Sequence, residues 1–168
     1  MKARNSRRKA TTFRTEDDLV ALTVKLLGKA NSPWGRVQTV TEWDYRSGIS
    51  DILGRDSHND IIAFEAKLRD WRRACYQAYR STAFAPRAYV VLPELVATRV
   101  QCYRDVFERY GVGLCYCRSG ELSILIEARP AEPLMKWLTD RAHTMFDGIL
   151  NDRAGRPQLR SSDSLQPA

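Results

Sequence analysis

The stretch SDILGRDSHNDIIAFEAKL, residues 50 to 68, decides the fold. Two apolar runs, SDILG and DIIAFEAKL, flank the polar connection RDSHN, which is the pattern of a β-hairpin. Centred on Ser57 or His58, the hairpin pairs residues whose numbers sum to about 116, so Asp51 faces Glu65. Opposed Cβ atoms in an antiparallel pair lie about 4.5–5.5 Å apart, and like charges there are destabilising. A positive group is therefore expected between the two acids. Lys67, two residues beyond Glu65 and on the same side of the strand, is one candidate, and a divalent cation is the other. Lysine alone neutralises one carboxylate, whereas Mg²⁺ is commonly held by one or two carboxylates together with waters and substrate phosphates. An ordinary ion pair at a strand end is the plainer alternative.

Outward from this hairpin the chain alternates helix and strand signals. TFRTEDDLVALTVKLLG reads as a first helix, capped by Thr15 with Asp18 three residues on and stopped at Gly28. RVQTVTEWDY is a strand, and a helix is expected from about Asp70 to Thr82, followed by the buried strand RAYVVLP. PELVATRVQCYRDVFERYG is expected as one helix ending at Gly111. VGLCYC and ELSILIEA form a hairpin across RSG, and EPLMKWLTDRAHTMFDGIL is the last helix. The order α, three β, α, β, α, two β, α implies an α/β fold with a mixed central sheet flanked by helices.

Asp51, then Glu65, Ala66 and Lys67 as EAK at the end of the next strand, then Gln77 in the following helix, resemble the D…(D/E)xK signature of the PD-(D/E)XK nuclease superfamily. Gln77 with Tyr79 in RACYQAYRS is similar to the glutamine-bearing helix of its RecB-like and Holliday-junction-resolvase-like branches. The resemblance covers residues 15 to 92 and departs at Ser50, where members often carry proline. It implies a restriction-endonuclease-like αβββαβ core and a DNA endonuclease using Mg²⁺, for which Mn²⁺ can substitute. It also implies roles: Asp51 and Glu65 as metal ligands with the Ala66 carbonyl as a third, Lys67 orienting the attacking water and stabilising charge on the phosphate, and Gln77 positioning Lys67 or the nucleophile. Glu16, in competition with Asp17, matches an extra acid that some branches place near the metal.

The chemistry is coherent with the residues present. Phosphodiester hydrolysis needs a nucleophile at neutral pH and stabilisation of added negative charge, which a metal and a lysine supply. The chain has two histidines and no HExxH, GxxxxGK[ST] or GxSxG, so most rival hydrolytic mechanisms lack their residues. On the helix after Lys67, Arg69, Arg73, Gln77 and Arg80 share a face, with Arg72 beside them, a basic surface suited to duplex or branched DNA. A solvated helix face is the bland alternative for these arginines, and a core anchor is the expected role of Trp34, Trp43, Trp71 and Trp137. A non-catalytic nucleic-acid-binding module on the same fold is the alternative function, and a protein-interaction domain a third reading.

Charge is concentrated at the ends. Residues 1–14 carry Lys2, Arg4, Arg7, Arg8, Lys9 and Arg14 and no acid, and subtracting this arm and the weakly basic segment 152–168 from the net charge of +7 leaves a neutral body. The expected organisation is a basic disordered arm over 1–14, one nuclease-like domain over 15–151 and a disordered tail over 152–168. In the arm, Arg7 and Arg8 are candidate DNA contacts. Cys75, Cys102, Cys115 and Cys117 form no CxxC pair and are expected as free thiols. No run reaches the roughly 18 apolar residues of a membrane span, so a cytoplasmic protein without membrane contact is expected; an Arg-rich transit peptide is the lesser alternative. A homodimer, joined through the helices around 95–110 and 131–150, would suit double-strand or junction cleavage.

Overall fold

The computed structural model describes residues 11–154. Helix α1 spans Glu16–Leu27, followed by strands β1 (Gln38–Asp44), β2 (Ile49–Arg55) and β3 (Ile61–Ala66). Helix α2 (Trp71–Ser81) leads to β4 (Arg87–Pro93), then α3 (Glu94–Val100), α4 (Arg104–Tyr110), β5 (Gly113–Arg118), β6 (Glu121–Ile126) and α5 (Lys136–Ala154). Through β4 this is the αβββαβ order that the resemblance implies.

The six strands form one mixed sheet in the order β1-β2-β3-β4-β5-β6. Strands β1, β2 and β3 run antiparallel, β3, β4 and β5 are parallel, and β6 closes the sheet antiparallel to β5. The parallel pairs are the ones joined by helices, because a parallel connection must cross over the sheet. Side chains alternate between two apolar layers. Leu53, Ala63, Val90 and Leu92 face Phe107 of α4 and Leu138, Ala142 and Phe146 of α5, while Ile52, Phe64, Tyr89 and Val91 face Leu19, Leu26 and Leu27 of α1 together with Trp34. Every residue of β3 is buried. Each large apolar side chain so enclosed stabilises the fold by roughly 1.5–3 kcal/mol.

Local signals match locally. The Thr15 hydroxyl accepts from the Asp18 amide at 3.1 Å, and the Asp18 carboxylate accepts from the Thr15 amide at 3.1 Å, a complete capping box. Gly111 ends α4 in the left-handed region at φ 68°. Cys75, Cys115 and Cys117 are buried free thiols, and Cys102 is free and exposed.

Three expectations are corrected. The helix expected over 93–111 is two helices joined by a 3₁₀ turn at Gln101–Tyr103, where the Tyr103 ring stacks on Trp71 at 5.0 Å, a packing contact that periodicity does not report. The last helix begins at Lys136 rather than near Glu132. The preceding backbone is pinned instead to the loop after α2, through Ala131 N to Pro86 O at 2.9 Å and Met135 N to Ala83 O at 2.7 Å. Trp137 is 51% exposed and is no core anchor, because Leu138, Ala142 and Phe146, four residues apart, form the inward stripe of α5. The Arg46 guanidinium lies over its ring at 5.6 Å.

Residues 1–10, Arg7 and Arg8 among them, lie outside the described residues, as does the tail from 155. At the close of the arm, Ser119 N donates to the Thr11 hydroxyl at 2.7 Å and Phe13 packs against the α1 layer. Among the described residues no helix is long and apolar enough to cross a membrane.

Candidate active site

The β2–β3 ladder pairs Ile52 with Phe64, Leu53 with Ala63, Gly54 with Ile62 and Arg55 with Ile61. This is the register expected from the hairpin reading, and it stops one pair short of Asp51 and Glu65. Ladder pairing ends there because the Asp51 side chain intervenes: its Oδ2 accepts from the backbone N–H of Ala66 at 2.9 Å. Within the hairpin turn, Asp56 Oδ1 accepts from the amides of His58 and Asp60, and Arg87 pairs with both Asp56 and Asp60. That closes the far end of the hairpin without drawing on the acids at its mouth.

Lys67 follows β3 and keeps its parallel pairing, its N–H donating to Val91 O at 3.2 Å. Its ammonium lies 3.0 Å from Glu16 Oε2, 3.5 Å from Asp51 Oδ2 and 3.1 Å from the Ala66 carbonyl oxygen. Three oxygens from α1, β2 and β3 thus converge on one cation. Burial opposes the charge, but the hydrogen bond to Glu16 and the charge of Asp51 outweigh it and hold the Lys67 pKa above its usual value.

Glu65 is in the opposite condition. It is 1% exposed, and its Oε1 accepts from the Ser81 hydroxyl at 3.4 Å while Oε2 is buried without a hydrogen-bond partner among the described residues. Burial, and next the charge of Asp51, push its pKa up to about 8; Ser50, Lys67 and Ser81 only partly offset them. The like-charge problem posed by the sequence is therefore resolved in two ways: Lys67 neutralises Asp51, and at neutral pH a proton neutralises Glu65.

The other candidate residues divide. Glu16 joins the cluster through Lys67, whereas its rival Asp17 lines a cavity of about 410 Å³ with Thr41, Glu42 and Asp51. Gln77 makes no hydrogen bond to Lys67 or Glu65; it is half-buried, and its Oε1 has no partner among the described residues. It lies one turn before Ser81, on the side of α2 that meets Glu65. Arg69, Arg72, Arg73 and Arg80 are exposed, and Arg80 donates to the Ser47 carbonyl in the β1–β2 turn. Among the described residues no group of three or more His, Cys, Asp or Glu side chains is arranged as a metal centre, so Glu16, Asp51 and Glu65 do not form a three-acid cage.

Sequence reasoning missed Ser81, whose hydroxyl donates to Glu65, and Ser50, buried beside Asp51 with its own hydroxyl donating to Ile52 O at 3.3 Å. Ser50, standing where the resembled family often has proline, was the visible signal; Ser81 had none beyond its helical spacing from Gln77. It also missed Glu42, which lies between the paired residues Thr41 and Trp43 of β1 and adopts φ 53°.

No family model and no curated protein matches this chain. Among solved structures, a protein of unknown function from Silicibacter pomeroyi has a similar fold, with a TM-score of 0.51 at 13% identity over 74% of this chain and 86% of that one. An EndoMS–dsDNA2 complex matches at a TM-score of 0.45 and 18% identity over 68% of this chain. A repair endonuclease from Pyrococcus abyssi matches at 0.35 and 14% identity over 73%. The chain spans 49% and 50% of the lengths of those two proteins.

Proposed function

We propose that this chain is a metal-dependent endonuclease that hydrolyses DNA phosphodiester bonds, with Asp51, Glu65 and Lys67 as its working residues and a role in repair, recombination or restriction. The observation that carries this reading is the convergence of Asp51, the Ala66 carbonyl and Lys67 at one end of the sheet beside a buried carboxylate, Glu65, whose Oε2 has no partner among the described residues. An orphaned buried carboxylate oxygen is costly unless it receives a proton or a cation.

The donor set fits Mg²⁺, with Mn²⁺ as a substitute. Asp51, Glu65 and the Ala66 carbonyl would hold it, all hard oxygens, and two carboxylates leave positions for water and phosphate. When bound, the ion would lower the pKa of an attacking water and stabilise the extra negative charge of the phosphate. Glu65 gives up its proton on binding, which its pKa of about 8 makes achievable near neutral pH. Lys67 stays charged throughout, since Glu16 and Asp51 hold its pKa up, and it donates to a phosphate oxygen as charge develops there. Glu16 keeps the ammonium at the mouth of the site. Gln77, with an unused buried oxygen one turn from Ser81, is the side chain left to position the nucleophile once substrate is bound.

A non-catalytic nucleic-acid-binding module has one observation in its favour: Lys67 already pairs with Glu16 and Asp51, which leaves the mouth of the site with one net negative charge rather than two against an approaching phosphate. Incubating duplex, single-stranded, flapped and four-way-junction DNA with Mg²⁺, Mn²⁺ or EDTA separates the two. The nuclease reading expects metal-dependent cutting by the wild type and none by Glu65→Ala. Salt-sensitive binding without cutting under any metal would favour the binding module.

A further inference from the structure

The outer face of α2 carries more than arginines. Tyr76 and Tyr79 are 56% and 47% exposed, although Tyr is a residue that normally buries its ring. The Arg72 guanidinium lies 4.3 Å from the centroid of Trp71 and 5.4 Å from that of Tyr103, so its plane is held by two rings. Tyr79 packs on Tyr110 at 5.1 Å and remains 47% exposed. Arg72, Tyr76 and Tyr79 fall about one per helical turn, with rises of about 6 Å and about 4.5 Å from each to the next. Arg69, Arg73 and Arg80 border this row, and among the described residues none of the four arginines takes part in a salt bridge. The helix comes back to the candidate site at its C-terminal end, where Ser81 meets Glu65 and Arg80 reaches the Ser47 carbonyl.

We infer that the outer face of α2 is a stacking track for single-stranded nucleic acid, with Tyr76 and Tyr79 as base platforms and Arg69, Arg72 and Arg73 as phosphate donors. The inference rests on the nucleic-acid binding in the proposed function, not on the hydrolysis, and adds the substrate class, unpaired bases, to it. The spacing selects against a duplex. Bases in duplex DNA rise about 3.4 Å per step along each strand and are covered on both faces, whereas platforms a helical rise of about 4.5 Å apart suit a strand stretched so that each base meets a ring. Charge selects against a second copy of the same face, which would bring four unneutralised arginines against four. A planar guanidinium resting on rings keeps its N–H edges free for phosphate, so Arg72 serves both the row and the backbone.

The test is binding by the full chain in EDTA, read as anisotropy of a labelled thymidine strand of about 20 nucleotides and of a blunt duplex, at one salt concentration. For Tyr76→Ala/Tyr79→Ala, affinity for the single strand should fall at least about tenfold while affinity for the duplex stays within about threefold. Tyr76→Phe/Tyr79→Phe should bind as the wild type does, because stacking needs the ring and not the hydroxyl. Tyr79 also supports Tyr110, so Tyr76→Ala alone, at a 56% exposed position with no aromatic pairing among the described residues, gives the same comparison without disturbing that pair. Equal losses on both DNAs, or no loss on the single strand, would overturn the inference. So would self-association in sedimentation that the variants abolish, since the face would then be a protein interface. Because binding in EDTA requires no hydrolysis, a wild type that never cuts DNA would remove the nuclease reading and leave this one standing.

Discussion

Glu65 is the residue on which the site depends, and its state follows from where the chain puts it. A carboxyl at the end of a wholly buried strand, beside Asp51, is held protonated until about pH 8, against an ordinary value of 4.5. With the folded-state pKa raised, Glu65 contributes stability that is complete below pH 4.5 and is lost as the pH rises through about 8. In metal-free protein the wild type should therefore lose stability relative to Glu65→Gln between about pH 4.5 and about 8, by up to about 1.4 kcal/mol per pH unit inside that window. Thermal melts in EDTA across that range check it, and parallel curves would show that Glu65 is already ionised. The sequence showed that Asp51 and Glu65 meet, because hairpin register is arithmetic on residue numbers. It did not show how their repulsion is relieved, because that depends on Glu16 approaching from a helix more than thirty residues earlier and on the depth at which β3 lies.

At the level of elements, α1 brings Glu16 to Lys67, and its first turn is fixed by the Thr15–Asp18 capping box. Thr15→Ala should lower stability by about 1 kcal/mol in chemical denaturation, the usual loss for an N-cap, and should loosen Lys67 by fraying the turn that carries Glu16. An unchanged midpoint would mean that packing of Leu19 and Leu26 alone sets the start of the helix. Elements with strong local signals were legible: the capping box, the hairpin, and the buried strand β4 all stand where their residues placed them. The broken helix between Glu94 and Tyr110 and the late start of α5 were not. Their causes are tertiary, the Tyr103–Trp71 stack and the backbone bonds from Ala131 and Met135 to the loop after α2. Trp137 failed for a related reason, since a tryptophan's size argues for burial only when its position on the helix agrees.

For the molecule as a whole, the asymmetry of charge matters more than its total. Residues 1–10 carry Lys2, Arg4, Arg7, Arg8 and Lys9 and no acid. Removing them, while keeping Thr11 and Phe13 where they join the fold, should weaken DNA binding and flatten the plot of log K against log salt by about 0.9 for each arm cation that contacts a duplex phosphate. An unchanged slope would show that the arm makes no such contact. Lys67 is, among the described residues, the cation that meets the oxygens of Glu16, Asp51 and Ala66. The most direct test of its role is to measure Mg²⁺-dependent cleavage rate and DNA affinity side by side for the wild type and Lys67→Ala on the best substrate of the panel. The account predicts a rate lower by at least about a hundredfold with affinity nearly unchanged, since a donor that acts on developing charge contributes to the rate and not to ground-state binding. Cleavage by Lys67→Ala at the wild-type rate would contradict it.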